Sequence, residues 1–312
     1  MDSLLICLNA VLPMFLLMAL GYLAQRMRIL GQTTVLKMNK VVFAIFLPAM
    51  IFNNLYASDF ASSFKPDLMV YTALAILLFF ALSTLIVNKL VTIPAKQGVL
   101  VQGLFRSNYM MIGLALAANF LPANELGCVS LMMVVVIPLF NILAVITLAT
   151  HTGGKVSWKK TLVDIIKNPL IIATLLGMLA AATGIKLPTP VESAVSQLGE
   201  AAAPVVLFLL GGFFSFKSLP TYKKDLICVC IGRLVLIPGA ALAGGIALGF
   251  DHTAMITLVA IFGSPTATAS FPMAAAMGGD AELAGDIVVA TSTLCSFTLF
   301  AWCFALMSLG FL

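Results

Sequence analysis

The stretch Phe262–Asp280, FGSPTATASFPMAAAMGGD, places two prolines, Pro265 and Pro272, inside a very apolar region near the C-terminal end of the chain. Four hydroxyl residues, Ser264, Thr266, Thr268 and Ser270, lie between or beside them. A helix interior resists proline, because the ring removes an amide donor and clashes with the carbonyl one turn back. Lipid resists it more, since freed backbone groups find no water there. A proline pair among hydroxyls at this position therefore predicts a helix broken inside the protein, around a polar cavity.

Composition supplies the membrane. The 312 residues are 62% hydrophobic and 9% charged, where a soluble domain carries about 25% charged residues. The fold class expected is an all-α polytopic membrane protein. The net charge of +5 comes from small groups of Lys and Arg between apolar runs, the pattern of cytoplasmic loops, and points away from nucleic acid. The six cysteines, Cys7, Cys128, Cys228, Cys230, Cys295 and Cys303, form no CxxC, and His151 and His252 are far apart. Neither a metal nor another cofactor is expected. The first apolar run starts at Asp2 without a basic leader and reads as a retained span.

A spanning helix needs about 20 mainly apolar residues. Ten such runs lie near 3–25, 34–57, 67–90, 98–120, 125–149, 168–185, 190–214, 225–249, 253–277 and 283–309. The loops after odd-numbered spans hold Arg26, Arg28, Lys37, Lys40, Lys89, Lys96, Lys155, Lys159, Lys160, Lys167, Lys217, Lys223 and Lys224, and the opposite side holds Lys65 and Lys186. That asymmetry places the odd-to-even loops in the cytoplasm and both termini outside a cell membrane.

Five spans followed by five suggests duplication, with halves 1–150 and 151–312. A shift of 157 residues lays Phe105 on Phe262, Ser107 on Ser264, Ala117 on Ala274 and Glu125 on Glu282. Because each half has an odd number of spans, the two would lie inverted, as in secondary transporters. The counterpart of the opening stretch is then FRSNYMMIGLALAANF, 105–120, with Ser107, Asn108, Tyr109 and Gly113 at mid-span. Interrupted helices at matched positions point to a midplane binding site. Helix N-termini exposed by such breaks favour anions.

The order and spacing of LPMFLLMALGYLAQRMRIL, KMNKVVFAIFLPAMIF, SNYMMIGLAL, KNPLIIATLLGML and SPTATASFPMAAAMGGD resemble those of the auxin efflux carrier family, in its short bacterial branch of malonate and malate permeases. The resemblance covers essentially the whole chain. It implies ten helices arranged as in bile-acid symporters and sodium/proton antiporters, with broken helices 4 and 9 crossing. Spans near 3–57 and 168–214 would form a scaffold, and those near 67–149 and 225–309 a transport domain that moves like an elevator. It also implies a homodimer and a small organic anion, a mono- or dicarboxylate, bound at the crossing. One departure stands out. Ala115 occupies a position in span 4 where the family usually has proline, so that break is expected to be softer, held by Gly113 and the Asn108 side chain.

The expected substrate-binding residues are Ser107, Asn108, Tyr109, Gly113, Ser264, Pro265, Thr266, Thr268, Ser270 and Pro272. Hydroxyls there either donate to a carboxylate or bond back to helix carbonyls. Arg106 and Arg233 lie inside spans, where charge is costly and usually functional. They would serve as gate or charge partners, or snorkel to the nearby cytoplasmic edge. Asp280, Glu282 and Asp286 are the candidates for coupling to a proton, while a sodium ion could use carbonyls and hydroxyls of the crossing. No HExxH, GxSxG or Walker motif is present, so neither an enzyme nor an ATP-driven pump is expected. The leading expectation is a secondary carrier of organic anions, and the alternative a potential-driven uniporter or channel.

Overall fold

The computed structural model describes residues 2–57, 65–122, 125–151, 166–214 and 220–311. Among these every regular element is a helix, and the sole bridge of strand type joins Ser107 to Thr266. The basic residues Lys155, Lys159, Lys160 and Lys217 lie outside the described residues.

We number the helices in chain order. They are α1 (Asp2–Arg26), α2 (Gln32–Tyr56), α3 (Pro66–Leu90), α4 (Pro94–Phe105), α5 (109–120), α6 (Leu126–His151), α7 (Pro169–Thr183), α8 (Thr189–Phe213), α9 (Lys223–Ala247), α10 (His252–Gly263), α11 (Ser270–Met277) and α12 (Ala281–Ser308). Six of them, α2, α3, α6, α8, α9 and α12, are long and apolar enough to cross a bilayer. Leucines 74, 78, 82 and 85 of α3 and 175, 176 and 179 of α7 point outward and are exposed, a surface suited to lipid rather than water. The protein is thus a multi-pass membrane protein.

Proline shapes two long helices in the same way. In α2 a wide π-type turn spans Val42–Phe46 and Pro48 follows two residues later; in α9 the turn spans Gly232–Leu236 and Pro238 follows at the same distance. Each proline lacks an amide and its ring crowds the carbonyl four residues back, so the preceding turn opens and the helix continues past it.

Around the site, α1 lies on α8 and α7 on α2. A Cβ at Gly21 would meet the Phe208 carbonyl and one at Gly211 the Met18 carbonyl, both within 1.9 Å. Only glycine permits that approach of α1 to α8, the small-residue contact typical of helices packed in lipid. Elsewhere α3 and α6 pack on α4, while α12 packs on α1, α4, α9 and α11. The prolines do not interrupt a continuous helix. Pro265 lies in the unwound segment between α10 and α11, and Pro272 occupies the first turn of α11, where a missing amide costs little.

Candidate functional site

Helices α4 and α10 end at Phe105 and Gly263, and α5 and α11 resume beyond them. The two unwound segments meet side by side. The Asn108 amide donates to the Pro265 carbonyl at 2.8 Å, and the Ala267 amide to the Arg106 carbonyl at 3.3 Å. This pairing corrects the expectation of a softer break in span 4. Arg106 is in extended backbone, and position 115 sits within the helical turns beyond the break. The tertiary pairing with residues 265–267 breaks this helix without a proline. Gly113 does not hold the break either. A Cβ there would lie 2.3 Å from the Ala260 carbonyl, so this glycine lets α5 press against α10.

Aromatic rings fix the ends of the half-helices. Phe79 and Phe80, consecutive on α3, meet Phe262 and Phe105 edge-on, with ring centroids 5.6 and 5.2 Å apart. Phe105 also meets Phe140 of α6 at 6.0 Å.

The two arginines have different surroundings. Arg233 is completely buried. Its Nε and Nη2 donate to the Ser264 carbonyl at 3.0 and 2.8 Å, Nη2 also to those of Ile261 and Phe262 at 3.1 Å, and Nη1 to those of Leu104 and Phe105 at 3.3 Å. These are the last carbonyls of α4 and α10, the negative ends of two helix dipoles facing one another. One guanidinium satisfies both. Arg233 is therefore neither a snorkelling side chain nor a group that faces solute. The sequence expectation of a gate or charge partner gives way to a clamp on both breaks.

Arg106 is 5% exposed and also does not snorkel. Its Nη2 donates to Asn141 Oδ1 at 2.8 Å and its Nη1 to the Met273 sulfur. Both partners are neutral. Arg106 lines a cavity of about 60 Å³ together with Ser107, Asn108, Tyr109 and Met110 at the start of α5, and Ala267, Thr268 and Ala269 before α11. The rest of the lining comes from Leu47, Met50 and Ile51 of α2, Leu170 of α7, and Val136, Ile137, Phe140 and Asn141 of α6. The Ser107 hydroxyl and the Asn108 side-chain nitrogen Nδ2 are buried here without a hydrogen-bond partner among the described residues. A larger cavity of about 580 Å³ between α1, α8 and α12 is lined mainly by apolar residues such as Phe15, Met18 and Leu294, with Tyr22 and Thr293, and holds no charged group among the described residues.

The sequence-derived residues therefore divide. Arg106, Ser107, Asn108, Tyr109 and Thr268 come together at the cavity. The Tyr109 hydroxyl, however, donates to the Val129 carbonyl. Ser264 bonds back to the Ala260 carbonyl at 2.6 Å and Thr266 across to that of Gly103 at 2.7 Å. Those two hydroxyls hold the backbone, as does Thr291 of α12, which accepts the Thr266 amide at 3.2 Å. Ser270 and Pro272 are buried at the start of α11, outside the cavity wall.

The acids divide as well. Asp280 caps α12 by accepting the Leu283 amide at 3.0 Å, and it accepts the Tyr222 hydroxyl at 3.0 Å. Burial, and then the Asp280 carboxylate, hold the Tyr222 phenol above its ordinary pKa, so it remains a donor. Glu282 is exposed. Asp286 alone of the three is buried, at 1% exposure on α12.

Sequence reasoning missed Asn141. Its signal was a single amide within the apolar run MVVVIPLFNILAVITL of α6.

Long apolar helices around a buried, cationic cavity at a crossing of broken helices define a membrane transport protein. Residues 6–303 match the family described as "Membrane transport protein", and the chain belongs to it. This is the auxin efflux carrier family that the sequence motifs resembled. A relative from Rhizobium meliloti (strain 1021), named "Putative malonate transporter", is 25% identical over 299 residues, covering 91% of each chain.

Proposed function

We propose that this protein is a secondary transporter of small organic anions, mono- or dicarboxylates of the size of malonate, bound at the crossing of α4–α5 with α10–α11. The observation that carries this reading is Arg106. It is a buried guanidinium with neutral partners, lining a cavity whose wall holds no acid. Intramembrane charge of this kind is expensive and marks solute pathways. An arriving carboxylate would supply the missing counter-charge, with Asn108 and Ser107 as further donors. The name of the Rhizobium relative agrees with a carboxylate cargo.

Ten spans in two inverted halves fit the helix boundaries. Gln32–Tyr56 and Thr189–Phe213 are offset by 157 residues at both ends, as are Pro66–Leu90 and Lys223–Ala247. The reciprocal contacts of α1 with α8 and α7 with α2 are those a two-fold relation between halves would generate. In this reading α1, α2, α7 and α8 form the scaffold, and the remaining helices carry the solute past it in an elevator-like movement. The protein would act as a homodimer in the cell membrane with both termini outside. Coupling to a proton is assigned to Asp286, the buried acid of α12, rather than to Asp280 or Glu282.

The test is uptake of labelled malonate into proteoliposomes by wild type, Asn108→Ala and Asp286→Asn, under a proton gradient, a sodium gradient or a potential alone. The expected result is saturable uptake, accelerated by unlabelled malonate on the far side and at least about tenfold weaker in Asn108→Ala, which loses hydrogen bonds to a charged group. Stimulation by the proton gradient should weaken in Asp286→Asn. Uptake that neither saturates nor responds to countertransport would instead establish a channel. Undiminished proton coupling in Asp286→Asn would reject that assignment.

A further inference from the structure

The polar side chains of the lining come from the crossing and from α6. Arg106, Ser107, Asn108 and Thr268 belong to the crossing, and Asn141 stands beside Arg106. The helix that starts there, α5, brings the amides of its first turn, which have no acceptor within the helix. Two buried polar atoms at this spot, the Asn108 side-chain nitrogen Nδ2 and the Ser107 hydroxyl, also have no partner among the described residues. Together they form one carboxylate receptor made almost wholly of donors.

The lining from α2 and α7 is different. Leu47, Met50 and Ile51 of α2 and Leu170 of α7 present only hydrocarbon and thioether. Arg106 is the one cation in the wall, and Arg233 is occupied by the carbonyls of α4 and α10. A second ionised carboxylate of the solute would have to rest on this apolar lining without a counter-charge, which is costly. The cavity is also small. A water molecule needs about 10–15 Å³ by the same measure, so 60 Å³ suits a solute of a few heavy atoms.

From this we infer that the site takes a small monoanion, with one carboxylate on Arg106 and the start of α5 and a short uncharged remainder against α2 and α7; a diacid enters in its half-protonated form. This inference rests on the transport reading above and narrows its substrate class.

The experiment is a competition series in proteoliposomes at one neutral pH. Labelled malonate and labelled propionate are the transported probes. Unlabelled propionate, butyrate, monomethyl malonate, malonate and succinate are the competitors. Monomethyl malonate keeps the malonate skeleton with one permanent charge. The expected result is that propionate, butyrate and monomethyl malonate inhibit at concentrations at least about tenfold below those of malonate and succinate, which are largely dianions there. Replacing Leu47 by Lys should reverse the order, with malonate gaining and propionate losing. If malonate outcompetes its monomethyl ester in the wild-type protein, the inference is overturned while the transport reading stands. If neither labelled acid is taken up saturably, the transport reading fails and the inference falls with it.

Discussion

At the residue scale, two arginines with the same chemistry serve different ends because of what surrounds them. Arg106 meets an amide oxygen and a sulfur beside a cavity, while Arg233 meets five backbone carbonyls. Sequence placed both inside spans but could not separate them, since carbonyl partners leave no side-chain signature and come from helices α4 and α10, remote along the chain. The same holds for the hydroxyls of Ser264 and Thr266. Their alternation with small residues reads equally as a ligand site or as backbone support, and only the tertiary acceptors, Ala260 and Gly103, decide. Removing Arg233 leaves several buried carbonyls unsatisfied, each costing about 1–3 kcal/mol. Arg233→Met is therefore expected to lower the detergent melting temperature markedly and to reduce folded yield. Arg233→Lys keeps the charge but not the fork and should fall between. Arg106→Met, by contrast, should leave the melting temperature near or above that of wild type, because it removes a buried charge with neutral partners. A melting temperature for Arg233→Met equal to that of wild type would refute the clamp.

At the scale of elements, prolines were the most legible feature and also the most ambiguous one. Pro265 and Pro272 correctly marked a break, but Pro48 and Pro238 produce only widened turns within continuous helices α2 and α9. Local sequence does not distinguish the cases; the second strand of the crossing does. Where that partner exists, as at Arg106–Asn108, a helix breaks without any proline. Gly113 shows the complementary limit. It looked like part of the break, yet its role is to admit the Ala260 carbonyl from α10. A methyl group at 2.3 Å from that oxygen must displace backbone, an overpacking cost of about 1–3 kcal/mol. Gly113→Ala should accordingly lower both thermal stability and the maximal uptake rate. A substitution without effect on either would mean that α5 and α10 are not held in this close contact.

At the scale of the whole molecule, the membrane class, the positions of the apolar runs and the family were legible because composition and length act without tertiary detail. Ranges read from hydropathy alone, such as 34–57 and 190–214, lie within two residues of α2 and α8. The cavity at the crossing was legible as a region but not as a constellation, since Asn141 joins it from α6. The proposed mechanism asks the unit of α3–α6 and α9–α12 to travel together, and the Arg233 clamp ties α4 to α10 within that unit. What must travel with it is a counter-charge for Arg106. The most direct test is the concentration dependence of labelled propionate and malonate uptake by wild type, Arg106→Gln and Arg106→Lys in proteoliposomes. A lost charge-assisted contact of about 1.5–3 kcal/mol predicts roughly ten- to hundredfold weaker uptake at low solute concentration for Arg106→Gln, with partial recovery in Arg106→Lys. Saturable uptake by a folded Arg106→Gln protein with unchanged half-saturation would contradict the account and move the anion site away from the crossing.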